Sequence, residues 1–264
     1  MSDLIGQERG NYRLTQLLGQ GGFAEVYLGE HIHLGNKVAV KVLYTSLNQA
    51  GLQQFKQEAL TLRNLAHPHI IKILDFGFDN TNIPYLVMEF APGGTLNQRH
   101  PLKTLVPSTA IVDYIKQVAE ALQYAHTNKV IHRDIKPENM LLAQNNTLLL
   151  SDFGIARVVE TYSVGTGRIT GSFQYMAPEQ GAGKAVIASD QYSLGIVAYQ
   201  WLCGKLPFQG SMTELIIQHR FEAPPPFPPN LRIPASVENV VMKALSKDPQ
   251  QRFATIQEFA YMLE

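Results

Sequence analysis

A single cysteine in 264 residues excludes an internal disulfide, and a chain of this length can bury a sufficient core without one. Cys203 follows Trp201 and Leu202, an apolar setting that suits a small buried hydrophobe better than a nucleophile. Scarce cysteine also fits a reducing, cytoplasmic compartment. Net charge is absent as well: 22 Lys and Arg balance 22 Asp and Glu. The balance holds locally, with 7 basic and 8 acidic residues in positions 1–90. That excludes bulk attraction to nucleic acid or to an anionic membrane as an organising theme. No apolar run approaches the roughly 18–20 residues that span a bilayer. The longest, Leu194–Cys203, is short and contains Gln200. The polar start Met1–Gly10 lacks the apolar core of a secretory signal, while the chain stops within a helical pattern, as a piece of a longer protein would.

What is present reads as a folded protein, 45% hydrophobic and only 17% charged. At about 150 residues per domain, the length allows one large domain or two lobes. Strands are expected at Tyr12–Gly19, Ala24–His31, Asn36–Leu43, Ile71–Gly77 and Tyr85–Phe90, from alternating or β-branched apolar runs. Among them, Phe55, Ala59 and Leu62 share one face of a helix expected over Leu52–Leu65. Beyond Ala91–Gly94, which reads as a hinge, the pattern is mostly helical. Ser108 is expected to cap a helix whose stripe is Ile111, Ile115, Val118, Leu122 and Ala125. Leu194–Leu202 reads as a buried helix, and Val237–Leu245 and Thr255–Leu263 as amphipathic ones. Five prolines within Ala223–Asn230 enforce a stiff irregular connection.

Four motifs carry chemistry. Gly19-Gln20-Gly21-Gly22-Phe23-Ala24 lies between two expected strands, where a glycine-rich backbone can approach phosphates closely. A strand follows it and no Gly-Lys-Ser/Thr does, so it is neither a dinucleotide fingerprint nor a Walker loop. Val38-Ala39-Val40-Lys41 sets a lysine in an apolar strand, and a buried ammonium needs a partner. Glu58, on the apolar side of its helix, is the candidate; a surface lysine on an edge strand is an equally good reading of that pair alone. His132-Arg133-Asp134-Ile135-Lys136-Pro137-Glu138-Asn139 can present a carboxylate to a hydroxyl and an amide oxygen to a metal. Asp152-Phe153-Gly154 follows the apolar run Leu148–Leu150 and supplies a second carboxylate with oxygens suited to Mg²⁺.

With these motifs in this order, and with Ala177-Pro178-Glu179, Ser189-Asp190 and Arg252 after them, the sequence resembles the protein kinases. The bacterial eukaryotic-like serine/threonine kinases are the most similar branch, and the resemblance covers about residues 12–264. It implies an α+β, bilobal protein-kinase fold, with a small antiparallel β-sheet lobe bearing one regulatory helix and a large, mainly helical lobe. Residues 1–11 would be an N-terminal extension, 12–90 the small lobe and 91–264 the large one. The implied activity is transfer of the γ-phosphoryl group of ATP, with Mg²⁺ or Mn²⁺, to Ser/Thr hydroxyls of proteins.

The resemblance also implies roles by position. Lys41 would hold the α- and β-phosphates and pair with Glu58. Asp134 would orient the acceptor hydroxyl and take its proton, Lys136 would contact the γ-phosphate, and Asn139 and Asp152 would bind the metal. Leu18, Gly19, Gln20, Gly21, Gly22, Phe23 and Ala24 would cover the nucleotide. Val26, Ala39 and Leu141 would sandwich the adenine, with Met88 behind it and Glu89 and Ala91 offering backbone bonds. Ordinary core packing describes those apolar residues equally well. Ala24 stands where the family's loop has its third glycine. Arg133, Glu179, Asp190 and Arg252 would be structural, Arg133 being placed to dock a phosphate on the segment from Asp152 to Glu179. Thr166 is the first candidate there, followed by Thr170 and Ser163, while Ser172 would support Asp134 and Lys136.

Two competing readings are a nucleotide-binding scaffold without transfer and a small-molecule phosphotransferase. The first usually lacks the lysine, the catalytic aspartate or the metal aspartate, all present here; the second typically lacks this glycine loop and an Ala-Pro-Glu segment. Expected partners are protein substrates and a second copy through the small lobes, not nucleic acid. No membrane segment is read in these residues, although a longer parent of this family can be membrane-anchored and serve signal transduction.

Overall fold

The computed structural model describes residues 4–154 and 173–264. The chain forms two compact units, one running to Pro92 and resuming at Phe153, the other comprising Gly93–Asp152 and the chain from 173 onward. The division after Pro92 falls inside Ala91–Gly94.

The first unit is built on a six-stranded antiparallel sheet. Its strands are β1 (Glu8–Arg9), β2 (Tyr12–Gln20), β3 (Ala24–His31), β4 (Lys37–Leu43), β5 (Ile73–Phe78) and β6 (Pro84–Glu89), in the order β1-β2-β3-β4-β6-β5. Glu8–Arg9, within the expected extension, pairs with Tyr12–Arg13. Side chains alternate across a strand. Val38, Val40 and Val42 therefore enter one cluster with Tyr12, Leu14, Tyr27, Tyr85 and Val87, while Ala39 and Lys41 point to the other face. Helix α1 (Gln49–Arg63) follows β4 and packs on β5 and β6. It starts earlier than the apolar period indicates because the Asn48 side chain accepts a hydrogen bond from the Gly51 N–H. Phe55 is fully buried on this helix, with ring contacts to Phe76 at 6.4 Å and Phe78 at 5.6 Å.

The second unit contains α2 (Leu96–Arg99), α3 (Ser108–Thr127), the hairpin β7 (Met140–Leu142) and β8 (Leu148–Leu150), α4 (Pro178–Gly181), α5 (Ile187–Cys203), α6 (Met212–Phe221), α7 (Ala235–Ala244) and α8 (Ile256–Leu263). Helix α5 is buried on nearly every side and packs against α3, α7 and α8. At Gly195 a Cβ would come within 3.1 Å of Leu245 and 3.2 Å of Ala244, so the missing side chain sets the close approach of α7. The apolar stripe of α3 is buried as its spacing predicts. Its start corrects the expected Ser108 cap: the Pro107 carbonyl accepts from the Ala110 and Ile111 N–H groups, and no side chain caps the helix. Ser108 is already helical. In the proline-rich connection, Phe227 is buried and stacks on Tyr199 at 4.7 Å, and its N–H donates to Glu238 Oε1 at 3.0 Å. Among the described residues, no helix is long and apolar enough to cross a membrane.

Removing a fully buried aromatic leaves a cavity as well as lost transfer energy. Phe55→Ala is expected to destabilise the first unit by about 3–5 kcal/mol, read from urea unfolding. Leu60→Ala, on the exposed face of the same helix, should change stability by about 0.5 kcal/mol or less.

Candidate active site

The segment His132–Asn139 folds back on itself so that three polar side chains meet. Lys136 Nζ lies 2.8 Å from Asp134 Oδ2. Asn139 Nδ2 donates to the same Oδ2 at 3.0 Å and to the Asp134 carbonyl at 2.8 Å. Both side-chain contacts therefore fall on Oδ2, leaving Oδ1 outside them. Pro137 starts the 3-10 turn Pro137–Asn139, which places Asn139 beneath Asp134. The Asn139 carbonyl accepts from the Ser151 N–H at 2.9 Å and from its hydroxyl at 3.1 Å. This ties the loop to the residue preceding Asp152.

His132 is fully buried and connects the same two segments. Its Nε2 is 2.8 Å from the Ser151 carbonyl, and its Nδ1 accepts from the Asp134 N–H at 3.2 Å. A carbonyl can only accept and a backbone N–H can only donate, so the ring carries its single proton on Nε2. Burial pushes the imidazole pKa down, against the opposing charges of Asp190 and Asp134. The neutral ring that the hydrogen bonds require is thus also the form that burial favours.

Asp190, buried in α5, organises the start of the loop. Its Oδ2 accepts from the His132 N–H at 2.9 Å and faces His126 Nε2 at 2.8 Å, and its Oδ1 accepts from the Arg133 N–H at 2.8 Å. Arg133 has φ 70° and Asp152 has φ 66°, left-handed conformations that cost a non-glycine residue free energy. At Arg133 the conformation is held from both ends. Asp190 binds its N–H, and the Gln180 amide donates to its carbonyl at 2.6 Å.

Glu179 of α4 forms a two-pronged pair with Arg252, at 2.7 Å to Nη1 and 2.9 Å to Nη2, and accepts from the Ser189 hydroxyl at 2.7 Å. Arg252 also donates to the carbonyls of Ser246 and Ala188 and lies over the Tyr192 ring at 4.9 Å. Burial pushes the Glu179 carboxyl pKa up, but hydrogen bonds from Arg252 and its charge, with the Ser189 hydroxyl, outweigh that and hold it below the usual range.

The remaining expected site residues lie on separate elements. In the first unit, Lys41 on β4 stands opposite Val26 of β3 and Leu86 of β6, and Glu58 sits half-buried on α1. Leu18, Gly19 and Gln20 end β2, and the turn Gly21-Gly22-Phe23 leads to Ala24, the first residue of β3, with the Gly21 N–H donating to the Ala24 carbonyl at 2.8 Å. Neither Gly19 nor Gly21 has a positive φ, and an added Cβ would meet nothing within 4 Å at Gly19 and only the Ala24 carbonyl, at 3.6 Å, at Gly21. Nothing in the described structure requires glycine there, whereas the open backbone leaves room for an anion. Ala39 and Met88 are buried register partners, and Glu89 accepts from the Lys72 N–H through Oε1 at 2.9 Å. Ala91 follows β6. Leu141, in the second unit, sits on β7 and bridges Thr95.

Among the described residues, no cluster of three or more His, Cys, Asp or Glu side chains could hold a metal. The oxygens of Asn139 and Asp152 still fit Mg²⁺, which commonly takes one or two protein ligands and completes its shell with phosphate and water. The two recorded Asn139 side-chain bonds use its nitrogen, so its amide oxygen is the atom suited to a cation. Thr166, Thr170, Ser163 and Ser172 lie outside the described residues. The sequence reading missed His126, Ser151 and Gln180 as positioning residues. His126 ends the buried stripe of α3, which is the one sign it left; its partnership with Asp190 spans 64 residues.

A family model described as protein kinase domain matches residues 12–261. The chain is 38% identical to serine/threonine-protein kinase Pkn1 of Myxococcus xanthus, over 99% of this chain and 39% of that protein. It is 36% identical to serine/threonine-protein kinase PrkC of Bacillus subtilis, over 97% of this chain and 40% of that protein. It is 38% identical to serine/threonine-protein kinase PknB of Mycobacterium leprae, over 94% of this chain and 41% of that protein. The chain thus spans about two-fifths of the length of these curated relatives.

Arg252→Ala leaves Glu179 charged and poorly solvated, and is expected to cost about 3–5 kcal/mol in urea unfolding at pH 7. The Glu179 carboxyl has a lower pKa folded than unfolded. Its contribution should be fully present above the ordinary glutamate pKa of about 4.3 and lost as pH falls through the lower folded value. The stabilities of the wild type and of Glu179→Gln should therefore differ most above about pH 4.3 and converge as pH falls from there through the lower folded value.

Proposed function

The chain belongs to the protein kinase family, and on that premise we propose that it transfers the γ-phosphoryl group of ATP to serine or threonine hydroxyls of proteins. The observation that carries the proposal is the asymmetry of Asp134. Oδ2 is held by Lys136 and Asn139, which fixes the carboxylate and leaves Oδ1 for an acceptor hydroxyl. The hydroxyl oxygen attacks the γ-phosphorus as its proton passes to Asp134 Oδ1. The bond from that phosphorus to the β,γ-bridging oxygen breaks, and ADP leaves with the electron pair. Lys136, already beside Asp134, presents its ammonium to the γ-phosphoryl oxygens.

Within the first unit, Lys41 is assigned to the α- and β-phosphates with Glu58 as its partner. The open backbone at Gly19 and Gly21 supports assigning that turn to the phosphates, with Ala24 in the third position. Asn139 and Asp152 are the residues that would hold Mg²⁺ or Mn²⁺, which when bound neutralises charge on the phosphate oxygens. Arg133, kept in place by Asp190 and Gln180, is assigned to a phosphorylated Thr166, with Thr170 and Ser163 next. Pairing of two chains through their first units, and attachment of a longer parent to a membrane, belong to the same proposal. The support for a longer parent is the greater length of the relatives.

The test is the intact mass of purified protein after incubation with Mg-ATP, beside Asp134→Asn and with a serine/threonine peptide mixture as co-substrate. Phosphate increments on wild type and peptide are expected. Loss of the proton acceptor should lower the rate about 10²–10⁴-fold. Nucleotide binding without any increment, even from dephosphorylated protein, would replace this reading with that of a nucleotide-binding scaffold.

A further inference from the structure

The second unit buries a group of titratable side chains that phosphoryl transfer does not use. Lys247 lies just beyond α7 and is half-buried. Its Nζ donates to the Gln218 carbonyl of α6 at 3.2 Å and to the Tyr192 hydroxyl of α5 at 3.4 Å. It faces the Phe208 ring at 4.5 Å and the Tyr192 ring at 5.7 Å. The ammonium thus rests on a carbonyl, a hydroxyl and two ring faces, none of which carries a full negative charge. Among the described residues, no carboxylate lies within ion-pair distance of it. Arg252 adds a second cation, at 4.9 Å over the same Tyr192 ring, and its Nη2 donates to the Lys247 carbonyl at 3.3 Å.

We propose that Lys247 is a covalent modification site, an amine that takes an acyl group from an acyl phosphate. The lone pair of the neutral Nζ attacks the acyl carbon, and the bond from that carbon to the phosphate oxygen breaks. Phosphate leaves with the electron pair, and one Nζ proton passes to it or to water. The product is an amide, and one of the two cations over Tyr192 is gone.

The surroundings supply the free amine that the reaction needs. Burial, with the Arg252 guanidinium adding to it, lowers the Lys247 pKa to about 8, against the opposing carboxylate of Glu222. His219, whose Nδ1 is 2.9 Å from the Tyr192 hydroxyl, does not titrate in the same range. Burial first, and then the Lys247 charge, bring its pKa to about 4. At pH 7.5 about a quarter of Lys247 is then unprotonated, against about 0.1% of a lysine with the ordinary value near 10.4. Nucleophilicity falls as basicity falls, taken here to the same degree as for thiols, so the net advantage over an exposed lysine is about tenfold rather than the roughly two-hundredfold ratio of free amine.

The probe is acetyl phosphate, small enough for a half-buried amine. Full-chain protein is treated at pH 7.5 to low total modification, and the occupancy of each lysine is read by peptide mass spectrometry. A parallel sample is treated in guanidinium chloride. Lys247 is expected to react about tenfold faster than the median lysine in the native sample, and at the median rate in denaturant. Its native rate should level off above about pH 8, where the exposed lysines continue to rise. No native enrichment would overturn the proposal, and so would an enrichment that persists in denaturant, since that would trace to local sequence rather than to this setting.

Discussion

The carboxylate of Asp190 is the point from which the loop His132–Asn139 is built. It sits almost fully buried in α5 and takes three donors: the His126 ring and the backbone N–H groups of His132 and Arg133. A buried carboxylate left short of partners is costly, and one filled with donors fixes each of them. Here two donors are consecutive backbone groups, so Asp190 sets the direction in which the chain enters the loop. The left-handed turn at Arg133 follows from that entry, and Asp134 leaves it facing Lys136 and Asn139. His132 then carries the constraint onward through its ring, linking Asp134 to Ser151 and so to the segment that contains Asp152.

The polar groups of this unit divide by whether their charges are matched. Glu179 and Arg252 form a matched pair with both prongs used and a serine hydroxyl added. They fasten α4 to the first turn of α5 and to the turn before α8. His132 solves the same problem by remaining neutral between a carbonyl and an N–H. Lys247 does neither: its contacts are polar or aromatic but uncharged, and its strongest charged neighbour has its own sign. Burial is common to all three sites, and the difference in partners decides whether each group is inert or chemically available.

Regular repetition made most of the first unit legible. The β-branched run of β4 needs only local sequence, whereas the alternation of β3 indicated the wrong face: Glu25 and Tyr27 are buried and Val26 and Leu28 only half-buried, because Tyr27 joins the cluster of Val38, Val40 and Val42. The four-residue helices α2 and α4 and the three-residue strands β7 and β8 are too short to show a period. Helix α6 buries only Leu215 and His219 and exposes Ile217 and Phe221, so its face is not apparent from composition. Candidate site residues were recognisable where they fall in compact motifs, as Asp134 and Asn139 do. Their supports were not, because the His126–Asp190 and Glu179–Arg252 contacts span 64 and 73 residues. The Ser108 cap failed for a local reason, since a proline carbonyl already occupied the first-turn donors.

The burial of α5 has a consequence for biosynthesis. This helix is apolar on most sides, and two of the elements that cover it, α7 and α8, come later in the chain. A ribosome adding about 5–20 residues per second needs roughly 3–12 s to pass from Cys203 to the end of α8. Until α7 and α8 have been made, the central helix has α3 and the short α4 to rest on, and the side of Gly195 that later meets α7 faces either solvent or another nascent chain. The arrangement that makes α5 a firm seat for Asp190 in the finished protein therefore makes it the segment most in need of protection while the protein is being made.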